Sequence, residues 1–216
     1  QFDNIMIYDF SLTFDEDKDA AAQAEFIDQT KDVLSACVFV CDDTLQADTR
    51  EGIKNVNVVA TGDIAISSLI SMHADGQTLD YPPDGSVAVS EKLARIAGVS
   101  VGDTIRVTVD DTRTTELPVS GVFENYVYHY MIMTPATYET IFGEACSYNA
   151  ALADSAMEDT HAAAAALLDD YGASSVSVTT DIKDRVSNMM RSLDLVIFVI
   201  IFCAGALAFV VLFNLS

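Results

Sequence analysis

The side chains of this chain that could do chemistry are few, and their spacing argues against most of it. His73, His129 and His161 stand far apart, and none has an Asp or Cys at relay or ligand spacing. Neither a charge-relay triad nor a zinc site is therefore spelled out. Ser120 lies in the run PVSGV, which lacks the glycines of the G-x-S-x-G elbow that aims a hydrolase serine. No G-x-x-x-x-G-K-[ST] loop is present to cradle a nucleotide phosphate. The run Asp15-Glu16-Asp17-Lys18-Asp19 invites calcium. An EF-hand loop opening at Asp15 would need Gly sixth and Glu twelfth, where Ala20 and Phe26 stand. The run reads instead as an acidic helix start. No catalytic residue, metal or cofactor is assigned, and the chain is expected not to be an enzyme.

Two further groups could act by contact or by redox. Cys37 and Cys41 would share a face of a strand about 13 Å apart, too far to bond each other. Either could bond Cys146 from a neighbouring strand, while Cys203 lies in an apolar run and behaves as a small hydrophobe. Tyr126, Tyr128 and Tyr130 alternate in ENYVYHYMIM and would line one face of a strand, opposite Val127, His129 and Met131. Either the tyrosines are core with paired hydroxyls, or the opposite face is core and they form an exposed aromatic strip for a peptide or lipid-like partner.

Charge narrows the partners. Lys and Arg total 11 against 33 for Asp and Glu, a formal net charge of −22. Nucleic acid, whose phosphates need clustered cations, is excluded, as is adhesion to an anionic lipid surface.

The elements that must carry these residues fall into three textures. Residues 4–14 nearly alternate as a strand, and Thr13 with Glu16 fits a capping box for a helix running to about Ser35. Strands follow at 37–41 and 56–60. Near the end of the polar part, a strand at 148–152, a helix capped by Ser155 with Glu158, Gly172 as its stop, and a strand at 175–179 repeat the pattern. Together they suggest two halves of one split α/β sandwich. Between them the chain reads mainly β: a turn at Tyr81-Pro82-Pro83-Asp84-Gly85, a strand at 87–89, a helix from Ser90 to Ala97 stopped by Gly98, and a turn at Gly102-Asp103. Strands at 104–109, 116–123 and 126–133 follow, then a helix from Thr134-Pro135 to Gly143.

From Leu195 to Phe213 the sequence LVIFVIIFCAGALAFVVLF carries no charge. As a helix it would be roughly 28 Å long, close to the thickness of a bilayer core. Residues 181–193 read as an amphipathic helix, and no Gly or Pro separates them from the apolar run. One continuous stalk and transmembrane helix is expected. The scarcity of Lys and Arg before it favours an extracytoplasmic place for residues 1–194. With Gln1 first and no leader, the chain is expected to be a piece of a longer polytopic protein.

The segment VAVSEKLARIAGVSVGDTIRV, followed by PVSGVF, resembles the large extracytoplasmic domain of FtsX-like permeases, the membrane subunits of MacB-type ABC transporters. The residues that carry the resemblance are Ser90, Leu93, Ala94, Gly98, Gly102, Asp103, Val119, Gly121 and Val122. It implies an α+β fold: a ferredoxin-like, porter-type split α/β subdomain (1–60 and 146–180) with an inserted mainly-β subdomain (61–145). A stalk helix (181–194) and a transmembrane helix (195–213) would follow. It further implies a non-catalytic permease that works with a cytoplasmic ABC ATPase and a second permease copy or half, in contact with membrane lipid. Ala204, Gly205 and Ala208 would let another helix approach in the bilayer. An extracellular ligand sensor is the alternative.

Overall fold

Alternation of apolar and polar residues produces the first described strand, β1 (Phe10–Thr13), with Phe10 and Leu12 fully buried. The computed structural model describes residues 8–63, 65–70, 72–74, 77–109, 113–125, 128–179, 197–198 and 200–205. After β1 comes helix α1 (Ala20–Thr30), capped by Asp19, whose carboxylate accepts the Ala22 N–H at 2.8 Å. The expected Thr13–Glu16 capping box is not what starts it. Thr13 is held extended by pairing on both sides of β1, so the first side chain free to cap is Asp19. The helix also ends before Ser35, because strand β2 (Leu34–Thr49) already begins at Leu34. Strand β3 (Gly52–Ala60) returns along it.

The middle of the chain supplies helix α2 (Ile66–Leu69), short strands β4 (His73–Ala74) and β5 (Gln77–Thr78), and strand β6 (Val87–Ser90). Helix α3 (Glu91–Ala97), strands β7 (Thr104–Val109), β8 (Arg113–Phe123) and β9 (Tyr130–Met133), and helix α4 (Pro135–Phe142) follow. The last β-α-β stretch is β10 (Ala150–Ser155), α5 (Thr160–Asp169) and β11 (Ser175–Val178). Here too an aspartate outcompetes the expected Ser155–Glu158 box. Asp159 accepts the N–H groups of His161 and Ala162, while the Ser155 hydroxyl donates to Met157 O.

The protein is mixed α/β. Strands run in the order β11-β1-β10-β2, each antiparallel to its neighbour, and buried residues of α1 and α5 join one core with this sheet. Phe14, Phe26 and Phe39 anchor that core, with ring centroids 5.2 to 5.7 Å apart. At Cys41 strand β2 changes partner: Val40 lies opposite Ala150 of β10, and Cys41 lies opposite Ala60 of β3. From there the order is β2-β3-β9-β6-β8-β7, and β7 returns to β2 at Gln46↔Thr108 and Ala47↔Val107. The strands close a ring, which removes the exposed edges an open sheet would leave. Its core takes Val56, Val58 and Ala60 from one wall, Met131 and Met133 from another, and Leu93 and Tyr138 from α3 and α4.

Residues up to Val178 form one unit and those from Thr179 a second. In the second, 197–198 and 200–205 are helical. Ile197, Phe198, Ile200, Ile201 and Phe202 are each at least half exposed, the largest value being 70% at Phe202. No helix among the described residues is long and apolar enough to cross a membrane. The expected stalk (181–194), and residues 195, 196, 199 and 206–213 of the expected span, lie outside the described residues.

Candidate functional site

The resemblance motif folds as a β6-α3-β7-β8 unit, and each of its residues except Gly121 has a task in the backbone or core. Ser90 is fully buried at the start of α3, but its hydroxyl does not cap the helix as expected. It accepts the N–H of Tyr130 at 3.1 Å, because β9 lies alongside β6 and leaves that N–H in need of a partner. Leu93 and Ala94 face the ring core. Gly98 ends α3 with φ 72°, its N–H and that of Val99 both reaching Ala94 O. The tip of the β2–β3 hairpin docks there: Arg50 N–H donates to Ile96 O at 2.9 Å, and its guanidinium donates to Gly98 O at 3.3 Å. Gly102 turns with φ 93°, and the Asp103 carboxylate accepts the Ser100 N–H at 2.9 Å. Val119 is buried in the core and Val122 packs against it. Gly121 is different. A methyl group there would meet Ala88 and Leu79 at 3.6 and 3.7 Å, ordinary contact, so nothing in the structure demands glycine.

A cleft of about 170 Å³ opens where the outer face of the ring meets the face of the four-stranded sheet on which α2 packs. Period-2 alternation builds it. Met131, Met133, Val58 and Ala60 point into the ring, so Tyr130, Ile132, Asn57 and Val59 point out. Val40, Val59, Ile132 and Leu152 give it an apolar lining. Tyr8, Asp42, Asn57, Asn125 and Tyr130 supply polar groups. Asp42 is positioned by a reciprocal amide clamp: its N–H donates to Asn149 Oδ1, and Asn149 Nδ2 donates back to its carbonyl, both at 2.9 Å.

Burial and mutual charge set how the polar groups of the cleft titrate. Burial, then the charge of Asp42, pushes the Tyr130 phenol up to about 12, although Asn57 hydrogen-bonds it. Burial raises Tyr8 further, with Tyr130 and Asp42 adding to the effect. Asp42, which keeps one side open to solvent, is raised by crowding and by neighbouring Asp43. Both phenols stay protonated at neutral pH and can donate or accept hydrogen bonds, but cannot act as bases. Among the described residues no group of His, Cys, Asp and Glu is arranged to hold a metal ion.

The expected tyrosine strip divides. Tyr126 lies outside the described residues. Tyr128 precedes β9 rather than lying in it, with φ 63° and 57% exposure. Tyr130 is half-buried in the cleft, its ring 6.5 Å from that of Tyr128 and nearly perpendicular to it. Ile132 and Met131 are both buried, so the two faces of β9 are covered. Ala204 and Gly205 are helical and exposed, whereas Ala208 lies outside the described residues. Sequence reading passed over Tyr8, Asp42 and Asn57. The signal available for Asp42 was the break in the run Val38, Val40, Asp42, where one face of a strand turns polar.

No family model and no curated protein matches the sequence. Solved structures are similar, two among them as follows. The extracellular domain of the noncanonic ABC-type transporter YknZ from Gram-positive bacteria matches at 16% identity and TM-score 0.47, covering 79% of this chain and 98% of that one. The periplasmic region of MacB from Actinobacillus actinomycetemcomitans matches at 10% identity and TM-score 0.47, covering 85% of this chain and 94% of that one. The likeness to both, at low identity, is one of fold.

Proposed function

We propose that this chain is the extracytoplasmic part of an ABC transporter permease together with its following membrane helix. In this reading a partner ATPase hydrolyses ATP in the cytoplasm, and the permease passes the resulting movement outward to a lipid, peptide or protein client. The observation that carries the reading is the 87–122 segment. Its family-like residues fold as one unit, in which Gly98 and Gly102 take left-handed conformations and Asp103 closes the turn. The strand order β11-β1-β10-β2, with α1 and α5 as connections, supports the ferredoxin-like split of the reading. Pairing of residues 41–60 with ring strands supports setting the border of the inserted subdomain inside β2, at Cys41, in place of residue 61. Residues 181–213 act as a stiff rod, because a packed helix moves as one body. Ala204, Gly205 and Ala208 pack against a second permease copy or half.

Inserting Gly-Gly-Ser after Asn188 tests the rod. Client handling is expected to fail while assembly with the ATPase persists; unimpaired handling would reject the transmitted-movement mechanism. The cleft beside Tyr130 favours a second reading, an extracellular ligand sensor. Ligand binding by isolated residues 1–180, without any dependence on ATPase turnover, would support it.

A further inference from the structure

Where β2 leaves one sheet for the other, two thiols meet. Cys41 is buried at the first position of β2 that pairs with β3, opposite Ala60. Cys146 comes from the segment between α4 and β10, packs against the same core, and its thiol points at Ala60 O at 3.8 Å. The two side chains hydrogen-bond to each other, and the Tyr138 hydroxyl also reaches Cys41. Cys37 takes no part: it packs against the other core, with α1 and α5.

We propose that Cys41 and Cys146 are a redox pair that closes to a disulfide, stapling the point where β2 passes between the two sheets. The oxidant is a small exogenous disulfide, RSSR. Cys146 is partly exposed and Cys41 is not, so Cys146 meets RSSR first. The shared proton moves to Cys41, the Cys146 thiolate attacks one sulfur of RSSR, and RS⁻ leaves. Cys41 then gives up its proton and attacks the Cys146 sulfur, expelling the second RS⁻. One leaving thiolate takes up the proton released from Cys41, and the other takes up the proton the dithiol had already given to water. Two S–H bonds are lost, one S–S bond forms, and RSSR is reduced to two RSH.

The local chemistry supplies the negative charge this exchange needs but rests it on Cys41, so attack by Cys146 draws on the minor form in which the shared proton sits on Cys41. The hydrogen bond from Cys146 holds Cys41 down at about 7, so the pair carries a negative charge at mildly alkaline pH. Cys146 is correspondingly raised, first by that hydrogen bond and then by burial. Burial pushes Cys37 up to about 12, which keeps it an inert thiol. Asp43 is the carboxylate beside the pair, and Tyr81, Tyr138 and Tyr148 are the phenols near it. The inference does not depend on what the permease carries.

The test uses the full chain with Cys203→Ser, in detergent, equilibrated in oxidised and reduced glutathione. Non-reducing peptide mapping is expected to show a Cys41–Cys146 linked peptide, with Cys37 still open to alkylation after denaturation. The oxidised protein should melt roughly 5–15 °C above the reduced one. A Cys37→Ser variant should form the same link. A link through Cys37, a stable glutathione adduct on Cys146, or two free thiols in the oxidising buffer would each overturn the proposal.

Discussion

The Tyr138 hydroxyl donates a 2.8 Å hydrogen bond to the Asp43 carboxylate, tying helix α4 to strand β2. Tyr138 is 2% exposed and stacks on Phe142 with ring centroids 4.2 Å apart, so the bond aligns a side chain that packing already holds. Asp43 is the only odd-numbered residue of 41–47 that is not fully buried, and Tyr138 is what it meets there.

Tyr138→Phe keeps the ring and loses the hydroxyl. The expected loss of stability is about 1 kcal/mol, below the roughly 1.5–3 kcal/mol of a bond to a charged group, because Asp43 can turn to water. Tyr138→Ala should lose about 3–5 kcal/mol, since it also empties a core position. Urea unfolding of both variants measures the difference. Equal losses would show that the hydroxyl, not the ring, holds α4 in place.

Two glycines of the 87–122 motif should respond oppositely. Gly98 sits at φ 72° with the Arg50 guanidinium over it, so Gly98→Ala is strained and displaces Arg50 from the end of α3. The expected loss is about 1–2 kcal/mol. Gly121 is extended with room for a methyl group, and Gly121→Ala should stay within about 0.5 kcal/mol. Thermal melts of the pair separate a glycine that the backbone needs from one that it tolerates.

Asp9 and Asp154 face each other across β1 and β10; the Asp9 carboxylate accepts the Ser155 N–H at 3.0 Å, whereas Asp154 Oδ1 is buried without a partner. Burial, then the charge of Asp9, raises the Asp154 carboxyl above its usual range. A raised carboxyl prefers its protonated form in the folded state. It therefore weakens the fold at neutral pH, and this penalty disappears as pH falls through the raised folded value towards the unfolded value of about 3.9. Asp154→Asn should stabilise the protein by about 0.5 kcal/mol at pH 7 and by nothing at pH 3. Urea midpoints at the two pH values check this. A gain that persisted at pH 3 would mean that charge is not its cause.

Local signals in the sequence carried much of the fold. Gly98, Gly102, Thr134-Pro135 and Gly143 each mark a boundary that the structure keeps, since each acts through its own backbone geometry. Helix starts were legible only in kind. At both α1 and α5 an aspartate beside the helix replaced a Ser/Thr-Glu box, because pairing or turn contacts had already engaged the expected residues. Ring closure was not legible. It depends on Ala47 meeting Val107 across a long separation, and alternation says which face is buried but not which strand lies alongside. The cleft was missed for the same reason: Tyr8, Asp42, Asn57 and Tyr130 converge only once β2, β3 and β9 are in register.

Tyr128 offers a test of whether strain beside the cleft is kept for use. It is the only non-glycine among the described residues with positive φ, and it is 57% exposed, so little packing rewards the conformation. Tyr128→Gly should relieve the backbone and raise stability by about 1 kcal/mol, while Tyr128→Ala should leave it nearly unchanged. If the exposed ring next to Tyr130 serves a client or ligand, both variants lose that binding although neither loses stability. Such a split between binding and melting temperature would assign the ring to contact. Intact binding in a stabilised Tyr128→Gly protein would instead confine recognition to Tyr130 and the cleft it lines.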